Sequence, residues 1–374
     1  MNKLFIINRL WFFYFIVRSA YLLFAILIYS KITTLGDTAR YLTANVGFSW
    51  NIFYNSTALM DFIGGILGGA LGGSNIISNF PFMLISFTIT KWAIETLELR
   101  THINNYILFA LISLPNFCIW TSICSKETIG LLFSSILAIL IINFLKGNYK
   151  IKKRDFFALY LCAIFKPQYL PFILQGLFYI YFCNRIFRNK PWVHFCLGLL
   201  AIGCNLFMLY LLKDIINVYA SNMYAHFDLT RAISTRDNIF INDNDFFKKA
   251  PIGIFISFFG PTLFEMLDKP THLLAGIESL FIILIFLYLA YRFLVRIITT
   301  GRLNCIIVFS YVVIFSGICI AHYPFGIFNP GSAIRYRTNF IFIFIVLLLF
   351  LHVYYSFTKN HERCNLEGIK KIYE

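Results

Sequence analysis

The chain has 374 residues, of which 59% are hydrophobic, 19% aromatic and only 13% charged, against roughly 25% charged in an ordinary soluble domain. That balance excludes a water-soluble globular enzyme, which would need a polar shell around its cores. The net charge of +15 would point a soluble protein toward nucleic acid; in a bilayer protein it sets topology, and no nucleic-acid partner is expected.

In chain order, apolar periodicity and run length predict spans at residues 11–30, 80–97, 104–121, 128–145, 156–165, 169–182, 192–212, 276–291, 303–321 and 339–356. The expected fold is all-α, a polytopic transmembrane bundle of about ten spans forming a single integral membrane domain over 1–374. The first run has no small-x-small cleavage site and is read as an uncleaved span. The fifth and sixth runs are too short to cross upright at 1.5 Å per residue, so a helical hairpin turning at Lys166–Pro167 is expected. Residues 31–79 form a first outer loop with a Gly-rich stretch at 64–73, and 213–275 form a large outer loop with an apolar piece, 251–264, interrupted by Gly and Pro. Both read as interfacial or re-entrant helices on the outer face. The glycines also suit a close-packed helix pair of the small-x-x-x-small kind.

This scheme places 18 basic residues and six acids on one face, including the cluster Lys146, Lys150, Lys152, Lys153 and Arg154. The other face receives 12 basic and 11 acidic residues. Such an imbalance is the positive-inside pattern and predicts that both termini are cytoplasmic. The nine cysteines have no C-x-x-C spacing and read as small hydrophobes. The seven histidines contain no H-x-x-x-H pair, so no metal site and no cofactor are expected. Asp237, Asp243 and Asp245 resemble a calcium loop in composition but lack its Gly and terminal Glu, and read as a solvated loop.

The remaining charges fall on the outer face: Asp37 with Arg40 and Tyr41, Lys126 with Glu127, Lys166 at the hairpin tip, and Arg335 and Arg337 around Tyr336 before the last span. Charges near hydrocarbon are costly unless paired or wetted, so a polar, outward-facing cavity is the economical arrangement. Lys126, Lys166, Arg335 and Arg337 are the candidate phosphate-binding cations. Each residue also has a plain structural use. Asp37 is placed to cap a helix over 39–46, Lys126 and Glu127 to form a surface pair, the two arginines to anchor lipid headgroups, and His322 to sit as an interfacial ring.

Asp37 followed by Tyr41, a run of Pro115, Trp120, Ser122, Lys126 and Glu127, Lys166–Pro167 at a hairpin tip, and Arg335-Tyr336-Arg337 opening the last span together resemble bacterial multi-span glycosyltransferases of the C-type fold. That group includes polymerases and transferases of cell-surface polysaccharides such as O antigen. The resemblance implies a polyprenyl phosphate- or diphosphate-linked sugar donor entering from the outer leaflet of the bacterial inner membrane, an acceptor glycan, and possible partnership with other polysaccharide-assembly proteins. It implies that Asp37 acts as general base or orients the acceptor hydroxyl, with Glu127 as a second catalytic carboxylate and Arg40, Tyr41, Trp120 and Tyr336 as substrate contacts. Asp37 has no adjacent second acid, and Thr338–Asn339 stand where Pro is common, so donor type and metal need stay open. Trp50, Tyr54, Tyr219, Tyr224 and Asn242 are the candidate sugar-contacting residues of the outer loops. A single-sugar transferase and a flippase for the same lipid-linked oligosaccharide are the competing readings; a flippase predicts two similar halves, and no internal repeat is visible.

Overall fold

The computed structural model describes residues 8–45, 47–188, 190–229, 236, 245–300 and 305–373. Among them the chain is all-helical, without strands. Helix α1 (Arg9–Ile32) starts on Asn8, whose side chain accepts from the Leu10 N–H. The first long connection holds α2 (Thr38–Leu42) and α3 (Ser56–Leu71). Asn55 opens α3 by accepting from two backbone N–H groups, and Gly72 closes it at φ 85°, a left-handed conformation that favours glycine. Helix α4 (Ile76–Thr96) begins on Asn75.

The next predicted span is divided into α5 (Asn105–Ile112) and α6 (Pro115–Thr121). Pro115 is the cause: the residue before a proline is pushed out of the helical region, and Leu114 accordingly sits at ψ 132°. Ser125 caps α7 (Lys126–Leu145). Helices α8 (Lys153–Phe165) and α9 (Leu170–Tyr181) meet at a 117° bend about Lys166–Pro167, in agreement with the expected hairpin. The chain continues through α10 (Pro191–Leu211), α11 (Lys213–Leu229), α12 (Ala250–Phe259), α13 (Leu263–Asp268), α14 (Pro270–Thr300), α15 (Cys305–Gly326) and α16 (Pro330–Tyr373).

Seven described segments are long and apolar enough to cross a membrane: α1, α7, α10, Ala250–Asp268, Pro270–Thr299, α15 and Pro330–Val353. The bent α8–α9 pair raises this to eight if it counts as one span. The chain is therefore a helical membrane protein, and among the described residues length and composition support seven or eight of the expected ten spans. The 104–121 run is broken at Pro115, and α4, although 21 residues long, is diluted by Asn79, Lys91 and Glu95. Conversely, Ala250–Asp268 is apolar enough to count but turns back on itself. Phe259 packs on Phe315 in α15 and the Gly260 carbonyl accepts from Ser279, whereas the His272 ring meets the Glu265 carbonyl, nearer the start of α14. The segment thus descends and returns, with its turn at Gly260–Pro261.

The two ends of the bundle differ in charge. At one end Trp11 Nε1 donates to Glu95 at 2.5 Å, Arg100 pairs with the same carboxylate at 3.3 Å, and the Arg154 guanidinium lies over Trp92. The basic cluster of 146–154 belongs here, with Tyr149 packed on Phe144 and Tyr181. At the other end lie α3 and the start of α4: Lys126 Nζ donates to Ser56 and Thr57 at the start of α3, and Asn79, in the first turn of the following α4, accepts from the Cys124 N–H at 2.7 Å. Helix α3 therefore lies across this end and does not cross. Its glycines are used for close packing, because side chains at Gly64, Gly65 and Gly68 would strike the carbonyls of Tyr41, Ala44 and Leu42.

The core is built around α7, buried almost throughout, and the first half of α16. They touch where Gly130 meets Asn339, with no room for a Cβ. Phe117 stacks on Phe342 and Phe133 packs against Phe340. The outer helix α10 instead leaves Leu199, Leu200, Leu206 and Phe207 exposed, as expected of a lipid-facing surface. His322 is buried, not interfacial: one ring nitrogen lies 3.0 Å from Tyr169 Oη and the other donates to the Ser257 carbonyl at 3.1 Å. Of the aspartate loop, Asp237 and Asp243 lie outside the described residues, and Asp245 pairs with Lys249 at 3.0 Å. Tyr219 is exposed on α11, whereas the Tyr224 side chain and Asn242 lie outside what is described.

Candidate functional site

Four parts of the chain meet at the end of the bundle opposite the basic cluster: the 36–41 turn leading into α2, the start of α7, the α8–α9 bend and the start of α16. Asp37 occupies the N-cap position of α2, yet its side chain makes no capping bond. One carboxylate oxygen accepts from Tyr41 Oη at 3.2 Å and lies 3.8 Å from Arg335 Nη2; the other lies 3.5 Å from Arg40 Nε. The Asp37 side chain is 47% exposed and open to an incoming group. Burial first, and then the Asp37 charge, push the Tyr41 hydroxyl well above its ordinary range, so it stays a donor to that carboxylate.

Arg335 is the hub. Its Nε donates to Glu127 at 3.0 Å, and its guanidinium lies 5.5 Å from the Trp120 ring centre and 5.9 Å from that of Tyr336. Gly36, at φ +59°, lets the first outer loop close onto it, since a Cβ there would collide with the guanidinium. Glu127, in the first turn of α7, is fully buried; one oxygen holds Arg335 and the other has no partner among the described residues. Trp120 Nε1 is likewise buried without a partner. Buried polar atoms left unsatisfied are rare and call for an explanation such as a ligand or an ordered water.

The lysines behave differently from the arginine. Lys126 donates to Ser56 Oγ at 3.1 Å and Thr57 Oγ1 at 2.8 Å, two neutral hydroxyls supplied by α3. Lys166, only 6% exposed, rests its ammonium 3.7 Å from the centre of the Tyr336 ring, a cation–π contact. Neither has a carboxylate within ion-pair distance among the described residues. Both lie within electrostatic reach of Glu127 and Arg335. Arg40 is turned away from the two lysines onto Asp61, at 3.0 Å. The arrangement combines an approachable carboxylate, a fixed Arg–Glu strut and two under-neutralised ammonium groups.

Of the residues singled out from the sequence, Asp37, Arg40, Tyr41, Trp120, Lys126, Glu127, Lys166, Arg335 and Tyr336 are brought together here. Arg337 is not. Two positions along a helix differ by about 200° in direction, and Arg337 points into the bundle, where Nη2 pairs with Glu278 at 2.9 Å and Nη1 donates to Ser279 Oγ and the Phe258 carbonyl. The arginine pair is divided between two sites, and Lys126 and Glu127 are not paired with each other. Glu278, Asp61, Ser56 and Thr57 were missed by sequence reasoning. Glu278 carried a usable signal, a carboxylate inside an apolar run; the hydroxyls carried none. Among the described residues no three His, Cys, Asp or Glu side chains are grouped as metal ligands. No family model, no curated protein and no solved structure matches the chain.

Proposed function

We propose that the protein is a membrane-embedded glycosyltransferase of cell-surface polysaccharide assembly. It uses a polyprenyl phosphate- or diphosphate-linked donor at the periplasmic face of the bacterial inner membrane, with both termini cytoplasmic and with repeat-unit polymerisation as its specific task. The observation that carries this reading is the gathering around Arg335 and Tyr336 of the approachable Asp37 carboxylate with Lys126 and Lys166, which have no carboxylate within ion-pair distance among the described residues.

The chemistry follows from those groups. An acceptor hydroxyl oxygen attacks the anomeric carbon of the donor while the bond from that carbon to the phosphate oxygen breaks, and the hydroxyl proton passes to Asp37. The phosphate leaves with the bonding electron pair, and its charge is met by the two ammonium groups and the outer edge of Arg335. Glu127 holds Arg335 in place while Arg335 faces Asp37, so a positive charge stays beside the base. Arg337 has no part in this scheme, since Glu278 already neutralises it.

The test is deletion of the gene followed by gel analysis of surface lipopolysaccharide, with complementation by wild type and by Asp37→Asn. Loss of the ladder to one repeat unit per lipid core, restored by wild type and not by the variant, is the expected result. An intact ladder of altered mobility would assign a modifying single-sugar transferase, and an unchanged pattern would remove both.

A further inference from the structure

Between α2 and α3 the chain carries no charged residue from Tyr41 to Met60, and the middle of this stretch displays aromatic rings. Phe48, Trp50 and Tyr54 are 62%, 74% and 69% exposed, with Phe53 beside them. They do not project singly: Phe48 packs edge-on against Trp50, Phe53 and Phe62, and Trp50 lies 5.7 Å from Phe53. Only Ile52 turns inward. A contiguous exposed apolar patch of this kind marks an interaction surface.

Its position identifies the partner. Tyr160 of α8 donates its hydroxyl to the Phe53 carbonyl at 2.7 Å. Tyr160 stands six residues before the Lys166 bend, about 9 Å along the helix axis from it. The patch therefore lies on the flank of α8, on the bundle side of the polar cluster and not beyond it. That flank is apolar and exposed at Phe156 and Phe157, the latter packed beside Tyr160. The rings thus continue a surface that an apolar helix presents to lipid. A glycan-stacking platform would stand above the cluster, in water.

We propose that the 48–54 segment is a bilayer-interface anchor, inserting Phe48, Trp50, Phe53 and Tyr54 at the boundary of headgroups and hydrocarbon in the leaflet next to the polar cluster. Trp and Tyr concentrate at that boundary because their rings are apolar and their polar edges are wet. The same unit carries Asp37 on α2, and holds Lys126 through Ser56 and Thr57 on α3. The leaflet therefore helps to seat the carboxylate and the lysine against Arg335. This assignment is independent of the proposed transfer chemistry, since it concerns where the rings lie and not what the cluster does.

The test uses the full chain in phosphatidylcholine–phosphatidylglycerol nanodiscs, with or without phosphatidylcholine brominated near the headgroup end of one acyl chain. Tryptophan emission is recorded for wild type and for Trp50→Phe, and the difference isolates Trp50. Loss of that component to the brominated lipid, with weak quenching by aqueous iodide, is expected. Adding Tyr54→Trp to Trp50→Phe should restore a lipid-quenched component, which guards against a variant that merely misfolds. A Trp50 component untouched by brominated lipid overturns the proposal, and strong iodide quenching in that case returns the rings to the aqueous side, where they would be free to meet a glycan.

Discussion

Arg335 and Arg337 stand two residues apart at the start of α16, and the two flanks they serve use the same chemistry to opposite ends. On one flank Arg337 and Glu278 are each about 1% exposed and bonded to each other, to Ser279 and to backbone, with the second Glu278 oxygen accepting from the Asn116 N–H at 2.6 Å. The charges there are neutralised by each other and closed off, although Arg337 Nε and the Asn116 side-chain amide have no hydrogen-bond partner among the described residues. On the other flank Arg335 is shared between Glu127 and a half-exposed Asp37, and two lysines beside it are met, among the described residues, by hydroxyls and a ring. A buried charge in an apolar bundle is structural when its partners saturate it. When they do not, the shortfall measures what a ligand could supply.

The sharpest way to break this contrast is at the saturated flank. Glu278→Ala strands Arg337 as an uncompensated buried cation and should destabilise the protein by about 3–5 kcal/mol. Thermal unfolding in detergent reads this as a large drop in midpoint, and pairing Glu278→Leu with Arg337→Met should recover most of it. A parental midpoint for Glu278→Ala alone would show that the pair is not what holds that flank.

At the open flank the expected loss is of activity, not stability. Asp37→Asn and Lys166→Gln should each lower transfer on the order of 10²–10⁴-fold, measured as polysaccharide product per inserted protein, with little change in unfolding midpoint. If either variant instead unfolded at a much lower midpoint while keeping its specific activity, the assignment of the two flanks would be reversed.

Smaller effects sharpen the boundary between them. Gly130→Ala forces a methyl into Asn339 at the seam of α7 and α16, and should cost about 1–3 kcal/mol by overpacking; a neutral result would mean that the two helices can separate locally. Asp61→Ala removes the partly buried partner of the exposed Arg40 and should shift stability by about 1 kcal/mol or less. A large shift there would mean that α2 is held to α3 by charge and not by the glycine contacts at 64, 65 and 68.

Several features were legible without coordinates because they depend on composition along the chain. The bend at Lys166–Pro167 follows from two runs too short to cross, joined by a proline. The segregation of Lys146–Arg154 from Asp37 and Arg335 follows from alternating the apolar runs. The span count was less legible. Pro115 breaks one run through a backbone clash that run length does not record, and Ala250–Asp268 is apolar enough to cross but reverses at Gly260–Pro261. At the site, the types of residue were readable and their pairings were not. Arg335 and Arg337 look equivalent in a one-dimensional pattern, and the acid that separates them is 59 positions from Arg337.

By itself, then, the sequence determined that this chain dissolves in a bilayer as helices, which stretches are apolar enough to do so, and that its surplus positive charge gathers at one end. Those properties sum over local residues, and hydrophobic transfer and helix geometry read them directly. Only the tertiary structure decided that α3 lies across the polar end, that Arg337 is spent on Glu278 while Arg335 joins Asp37 and Glu127, and that Lys126 and Lys166 have no carboxylate within ion-pair distance among the described residues. Those are pairings between groups far apart in the chain, set by which faces of α7, α14 and α16 pack together, and side-chain direction changes by about 100° with every residue along a helix.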